Sequence, residues 1–384
     1  GGTRALLASR PQRNAAVVER LLQSGGLIAG KTNLHELALG GTTNNAVTGA
    51  CRNPWNALRV PGGSSGGSAV AVAARMVPAA LGTDTGASVR LPAALCGVVG
   101  FRPSTGRYAS QGLLHLSPTK DTAGPMARSV QDLARLLATQ AGYDRRQPLS
   151  INRALDVSGI QYTPDALQGL RVGWLGDLGG HLAMEDGIVG VCEDALRAMQ
   201  NAGAHIEPTA PGFDPQTLWE CWLVWRRALV GPKAAALLQL PGARDELKPE
   251  ALWEYDNSLK LSYMDFQLAS QRRTGFYNHL LQMFERFDVL ALPVAQVWPF
   301  PLQQRWPQKI GHREMDTYHR WMESTIYATL AGLPAISLPA GFHPQQPWPM
   351  GIQLIGKPQG DVALLQVAAA YEAVRGDWLQ RRPG

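Results

Sequence analysis

Between Pro61 and Gly100 the chain reads PGGSSGGSAVAVAARMVPAALGTDTGASVRLPAALCGVVG, dense in glycine, serine and alanine and nearly free of charge. Small residues at this density let backbone come close to backbone, or to a ligand. Two groups of hydroxyls stand in the segment, Ser64–Ser65 and Ser88, with an apolar stretch between them. Ser88 follows Gly86 and Ala87 where a helix is expected to begin. The backbone N–H groups of Thr85, Gly86, Ala87 and Ser88 would then converge on one concavity, reinforced by the helix dipole. Such donors suit the negative charge that develops on a carbonyl oxygen when its carbon is attacked. From residue type and position alone, Ser88 reads equally well as a nucleophile or as a helix N-cap.

Ser64 and Ser65 lie in G-G-S-S-G-G, which admits three readings. One is a flexible turn. Another is a phosphate-cradling loop, but no lysine follows Gly67 and no GxGxxG with a later acidic partner is present. A third is a nucleophile elbow, since Gly62 to Gly66 matches G-x-S-x-G. That motif wants a strand directly before it, and Arg59-Val60-Pro61 intervenes; His312, His319 and His343 stand in no recognisable context. Asp84 and Asp121 could form an acid–base pair, although an ion pair of Asp84 with Arg90 is the plainer reading. Trp219, Trp222 and Trp225 recur every third residue, with Trp253 and Tyr255 beyond. They are either a wall for an aryl ligand or ordinary helix packing. His115, on a loop after the serine region, is a pocket candidate or a plain surface or core histidine. His312 and His319 lack metal-ligand spacing, so neither a metal nor a cofactor is expected.

These side chains need a scaffold. Helical spacing is expected over 14–22, 65–76, 88–96, 187–202, most of 219–239 and 250–287, 313–330 and 361–374. A helix over 129–140 has Ser129 as its cap. Short apolar runs at 27–29, 77–81, 98–101, 170–175, 288–293, 335–339 and 351–356 read as strands, while 40–61, 102–124 and 144–168 read as loop. The alternation predicts an α/β fold: a large, mixed, mostly parallel twisted sheet with helices on both faces. One domain is expected over 1–384, with the aromatic helices of about 210–285 as a cap.

The chain has 384 residues, 45% hydrophobic and 17% charged, which describes a globular protein with a substantial core. Its net charge of +6 is spread out, without a lysine or arginine run, so a nucleic-acid partner is not implied. No apolar run reaches the length of a membrane span. Cys51, Cys96, Cys192 and Cys221 form no CxxC pair and read as buried free thiols in a reducing, cytoplasmic setting. A homodimer is possible. Residue 1 is not Met and reads like the middle of a longer protein.

The serine stretch as a whole closely resembles the amidase signature family. The resemblance extends to Gly30-Lys31-Thr32-Asn33-Leu34-His35-Glu36-Leu37, to 120–125 (KDTAGP), to 331–335 (AGLPA) and to 351–356 (GIQLIG), and so covers nearly all of the chain. His35-Glu36-Leu37, Asn44-Asn45 and Gly86-Ala87-Ser88 look most like stand-alone arylacetamide-type hydrolases of that family. The resemblance implies a Ser–Ser–Lys triad acting on a small, possibly aryl, carboxamide. Ser88 is then the acylated nucleophile, and Thr85, Gly86 and Ala87 form the oxyanion hole. Ser64 is the bridging serine after a cis peptide at Gly63–Ser64, supported by Ser65, and Asp84 and Arg90 brace the turn. The third member is a neutral lysine, activated by burial and expected upstream of residue 1. Lys31 follows a strand and a glycine, but its motif matches another lysine of the family. Two alternatives accompany this reading: the A-type subunit of a tRNA-dependent amidotransferase, and a non-catalytic homologue without the lysine.

Overall fold

The computed structural model describes residues 1–109 and 121–384. It is built on an eight-stranded sheet. In chain order the elements begin with α1 (Ala16–Gln23), the short pair β1 (Asn44–Asn45) and β2 (Gly49–Ala50), α2 (Gly66–Ala73) and β3 (Ala79–Asp84). They continue with α3 (Arg90–Cys96), β4 (Val99–Arg102), β5 (Thr122–Ala127), α4 (Val130–Gln140), β6 (Arg171–Trp174), α5 (Ile188–Asn201) and β7 (His205–Pro208). The aromatic stretch forms α6 (Pro215–Leu237), α7 (Ala243–Glu246), α8 (Pro249–Ser258) and α9 (Tyr263–Arg286). After β8 (Val289–Pro293) and the pair β9 (Lys309–Ile310) and β10 (Arg313–Glu314) come α10 (Ile326–Ala331), β11 (Ala335–Phe342), β12 (Pro349–Gly356) and α11 (Asp361–Arg375).

The sheet order is β3-β5-β4-β11-β12-β8-β6-β7. Every neighbouring pair from β3 across to β8 is antiparallel, and only β8·β6 and β6·β7 are parallel. The sheet is therefore mixed, as expected, but not mostly parallel. A parallel neighbour needs a crossover, which β6–α5–β7 supplies. By contrast β11 and β12 are joined by the short turn 343–348, closed by His343 N–H on the Trp348 carbonyl at 2.8 Å, and must run opposite ways.

Other expectations need correction. Leu27 to Ala29 has no regular secondary structure and joins no strand among the described residues, and Leu27 is 95% exposed. Helix begins only at Arg320 in the 313–330 stretch, because β10 takes up its first two residues and 315–319 are not helical. β5 begins inside the expected loop, and it pairs with both β3 and β4 despite Pro125. Cys51 is only partly buried, whereas the other three thiols are buried as read.

The main core fills the space between the sheet and its helices. Val130, Leu133 and Leu137 of α4, Leu365 and Ala369 of α11, and Leu290, Ile336, Leu338 and Leu354 of the sheet are all fully buried in it. The local start signals act as expected. Ser129 Oγ accepts from the Asp132 N–H at 3.1 Å, and Ser262 and Asp265 form a reciprocal capping box at the head of α9.

Candidate active site

The β3–α3 connection, residues 85–89, carries Ser88. Gly86 is required there by its neighbour: a Cβ on it would lie 2.7 Å from Cη2 of Trp222 on α6. The carbonyls of this turn are all tied to one side. That of Gly86 accepts from Arg90 Nη2 at 2.7 Å and Thr329 Oγ1 at 3.1 Å. That of Ala87 accepts from Leu91 N–H at 2.8 Å, and that of Ser88 from Ser65 N–H at 3.3 Å. The N–H groups of Gly86, Ala87 and Ser88 donate to nothing among the described residues, whereas the next, Val89, donates to Asp84 Oδ2 at 3.2 Å. Carbonyls engaged on one side and N–H groups free on the other make a donor cradle beside Ser88, which is 8% exposed. Thr85 leads into the same turn.

The Ser65–Ser88 backbone bond draws the other serine pair alongside. The Gly63–Ser64 peptide is cis. Gly63 packs so closely on Thr42 that a Cβ would meet its carbonyl oxygen at 2.2 Å. The Ser64 carbonyl accepts from the His35 N–H at 3.1 Å and from Thr43 Oγ1 at 3.2 Å. The hydroxyls are used differently. Ser65 Oγ accepts from Thr83 N–H at 3.2 Å and lies 3.4 Å from the Thr83 carbonyl. The hydroxyls of Ser64 and Ser88 hold no hydrogen bond among the described residues.

Beneath the turn lies a fully buried charge cluster. Asp84 Oδ1 and Oδ2 bind Arg90 at 2.9 and 3.1 Å, and Arg102 Nη1 meets the Asp84 carbonyl at 2.6 Å and Oδ1 at 3.2 Å. Burial raises the Asp84 pKa, but the two guanidinium groups outweigh it and hold it at about 2. Burial brings Arg102 down to about 10, so it remains a cation at neutral pH. Arg90 also reaches the Thr325 carbonyl at 2.8 Å and Gln353 of β12. His35, behind Ser64, is held neutral with a pKa of about 3 by burial and by Lys248. Its Nδ1–H therefore donates to the Glu36 carbonyl at 2.9 Å.

The structure thus brings Ser64, Ser65, Asp84, Thr85, Gly86, Ala87, Ser88 and Arg90 together. Asp84 is an ion-pair partner rather than half of an acid–base pair, and Asp121 lies 3.7 Å from Lys233 Nζ instead. Lys31 is exposed. Lys248 directs its ammonium to the Asn44 carbonyl at 2.5 Å. Trp219, Trp222 and Trp225 are buried, and only Trp222 is seen against the turn itself. His319 sits among Trp219, Trp222, Trp253 and Tyr318. His115 lies outside the described residues. Among the described residues no group of three or more His, Cys, Asp or Glu is placed to hold a metal ion. Sequence reading missed Arg102, Thr329, Gln353 and Thr43. Only Arg102 carried a local signal, as the one charge following the buried run Val98–Phe101.

A glycine-lined serine turn with free donors, braced by buried arginines at the edge of a mixed α/β sheet, is an arrangement suited to acyl chemistry. The model of the Amidase family matches residues 1–365, and the chain belongs to that family, the amidase signature enzymes. It is 34% identical to the A-type subunit of glutamyl-tRNA(Gln) amidotransferase from Chloroflexus aggregans, over all of this chain and 80% of that one. Among solved structures it is similar to a bacterial aryl acylamidase of the amidase signature family (TM-score 0.89, 27% identity, 99% of this chain and 80% of that one). It is also similar to the A-type subunit of glutamyl-tRNA(Gln) amidotransferase from Thermotoga maritima (TM-score 0.80, 30% identity, 96% and 78%).

Proposed function

We propose that the protein cleaves a carboxamide through an acyl-enzyme on Ser88. Ser88 Oγ attacks the amide carbon while the N–H groups of Thr85, Gly86 and Ala87 take up the charge on the carbonyl oxygen. The Ser88 proton passes through Ser64 to the departing amine, ammonia leaves, and water releases the carboxylic acid. The observation that carries this reading is the pair of unengaged hydroxyls, Ser64 and Ser88, beside the unengaged N–H groups of 86–88. The base at the end of the relay is read, from the family resemblance, as a neutral lysine. Ser65, Asp84 and Arg90 hold the geometry, and 210–285 acts as a cap over a single domain. Free thiols fit a cytoplasmic setting; among the described residues no helix is long and apolar enough to cross a membrane.

Two readings of the acyl donor follow. The relatives named as amidotransferase A-type subunits, at 34% identity over the whole chain, favour an amidase that works with partner subunits. The likeness to an aryl acylamidase and the Trp222 ring against Gly86 favour a stand-alone arylamide hydrolase. The full-length protein purified alone decides between them: turnover of a simple arylamide without partners selects the second. The chemistry common to both is tested with a fluorophosphonate. Labelling is expected at Ser88 and is lost in Ser88→Ala; absence of labelling under every condition would sink the proposal and leave a non-catalytic homologue.

A further inference from the structure

The Ser88 turn is met by a residue 241 positions away in sequence. Thr329 lies on α10, fully buried, with its hydroxyl 3.1 Å from the Gly86 carbonyl and 2.9 Å from Arg90 Nη2. Arg90 Nη2 carries two hydrogens and has three acceptors within reach: Asp84 Oδ1 at 2.9 Å, the Gly86 carbonyl at 2.7 Å and Thr329 Oγ1 at 2.9 Å. It cannot serve all three fully. The Thr329 hydroxyl accepts from the guanidinium and has one hydrogen of its own. The Gly86 carbonyl is closer to it than the Thr325 carbonyl, at 3.1 against 3.4 Å.

We infer that Thr329 is a positioning residue of the oxyanion site, acting through the Gly86–Ala87 peptide. This rests on the reading of Ser88 as nucleophile. The peptide is a rigid plane in which C=O and N–H point opposite ways. Fixing the Gly86 oxygen on Arg90 and Thr329 therefore fixes the Ala87 N–H toward the other face, where it meets no protein acceptor among the described residues. A carbonyl that accepts from a cation also polarises its own peptide, which strengthens the N–H as a donor. Without the Thr329 hydroxyl, Arg90 Nη2 has one hydrogen for Asp84 and one for the Gly86 carbonyl, and the peptide plane is held at one point instead of two.

Thr329→Val keeps the shape of the side chain and removes its hydroxyl; Thr329→Ser keeps the hydroxyl. Amide turnover is measured per active site, with sites counted by fluorophosphonate uptake at completion and stability followed by urea unfolding. Loss of one oxyanion donor costs about 100- to 1000-fold, and a misaimed donor loses part of that, so kcat of Thr329→Val is expected to fall about 10-fold. KM should change less than about 2-fold, because the interaction is realised in the transition state. Thr329→Ser should recover most of the rate. A kcat per site in Thr329→Val equal to wild type overturns the inference, whatever its stability. Should Thr329→Val not fold, Thr329→Cys, whose thiol fits but donates weakly, reads the same quantity. Ser88→Ala separates the two levels. If it abolishes turnover and Thr329→Val does not lower it, only this inference falls; if Ser88→Ala stays active, the nucleophile reading falls and this one with it.

Discussion

Gly86 and Asp84 make opposite demands on their neighbours. Gly86 is needed for what it lacks. An added methyl would enter the Trp222 ring, 2.7 Å from Cη2 and 3.1 Å from Cζ2, and a buried indole has little room to retreat. Gly86→Ala is expected to cost about 1–3 kcal/mol, and to lower kcat by moving the turn. Trp222→Phe should recover part of both losses, so a double-mutant cycle in urea unfolding checks the contact. Asp84 is needed for what it neutralises. It is bonded to both Arg90 and Arg102, and all three are fully buried. Asp84→Asn leaves buried cations short of a counter-charge and should destabilise by about 3–5 kcal/mol. Calorimetry at neutral pH measures it. A loss far below that range, under about 1 kcal/mol, would contradict the charge assignment.

At the scale of elements, the serine-rich run has a second use. β3 is the outer strand of the sheet, yet its free edge is engaged by side chains of the adjoining segment. Ser65 Oγ bonds to Thr83, and Ser68 Oγ donates to the Leu81 carbonyl at 2.9 Å while meeting Thr32 Oγ1 at 2.8 Å. Residues 81 and 83 share one side of the strand, so hydroxyls three apart on the Ser65–Ser68 turn match groups two apart on β3. Ser68→Ala should cost about 1 kcal/mol, the usual worth of one such bond, with catalysis little changed. A second element carries a titrating cap. Glu372 on α11 accepts from Val130 N–H at the head of α4 at 2.8 Å, and burial, with Asp132 nearby, lifts its pKa to about 7. The folded protein thus holds a proton there that an unfolded chain, near 4.5, gives up. Its contribution falls as pH rises from about 4.5 to 7 and is flat above. Glu372→Gln should remove that falling part, so that the unfolding midpoint climbs with pH between about 4.5 and 6.5, where His35 acts in the opposite sense.

For the whole molecule the pH profile is a sum of opposed parts. His35, held to about 3 when folded, binds fewer protons than the unfolded chain up to its ordinary 6.5, so its part rises over that window. Asp84, held at about 2, contributes fully above 3.8 and loses its contribution as pH falls through 2. Between about 4.5 and 6.5 His35 and Glu372 pull in opposite directions. Wild type is therefore expected to look flat there, while His35→Gln should reveal a falling slope. A wild-type slope left unchanged in both single variants would refute this balance. The same scale shows what was legible in the sequence. Ser88, the Ser129 cap and the helices of 187–202 and 361–374 announce themselves locally, by glycines, caps and periodicity. Strand direction does not: the alternation of helix and strand fits either sense, and only the short turn 343–348 between β11 and β12 betrays the antiparallel run. Leu27-Ile28 looked like a strand because apolar runs are normally buried, yet both are exposed. β7 gives little strand signal because it is four residues long, carries one aliphatic side chain, Ile206, and is largely exposed at the other outer strand. Thr329 and Gln353 gave no signal because they reach Gly86 and Arg90 from the far end of the chain.

The serine lining of β3 also bears on how the protein behaves in a crowd. A bare outer strand invites a neighbouring chain to continue the sheet, and such additions grow into aggregates. Here the groups that would recruit a stranger at Leu81 and Thr83 are spoken for by Ser65 and Ser68. A chain with both serines replaced by alanine would then fail first as a colloid, turning cloudy at concentrations where each single variant stays clear. Light scattering against concentration would display it. In this protein the hydroxyls around Ser88 would guard solubility as well as geometry.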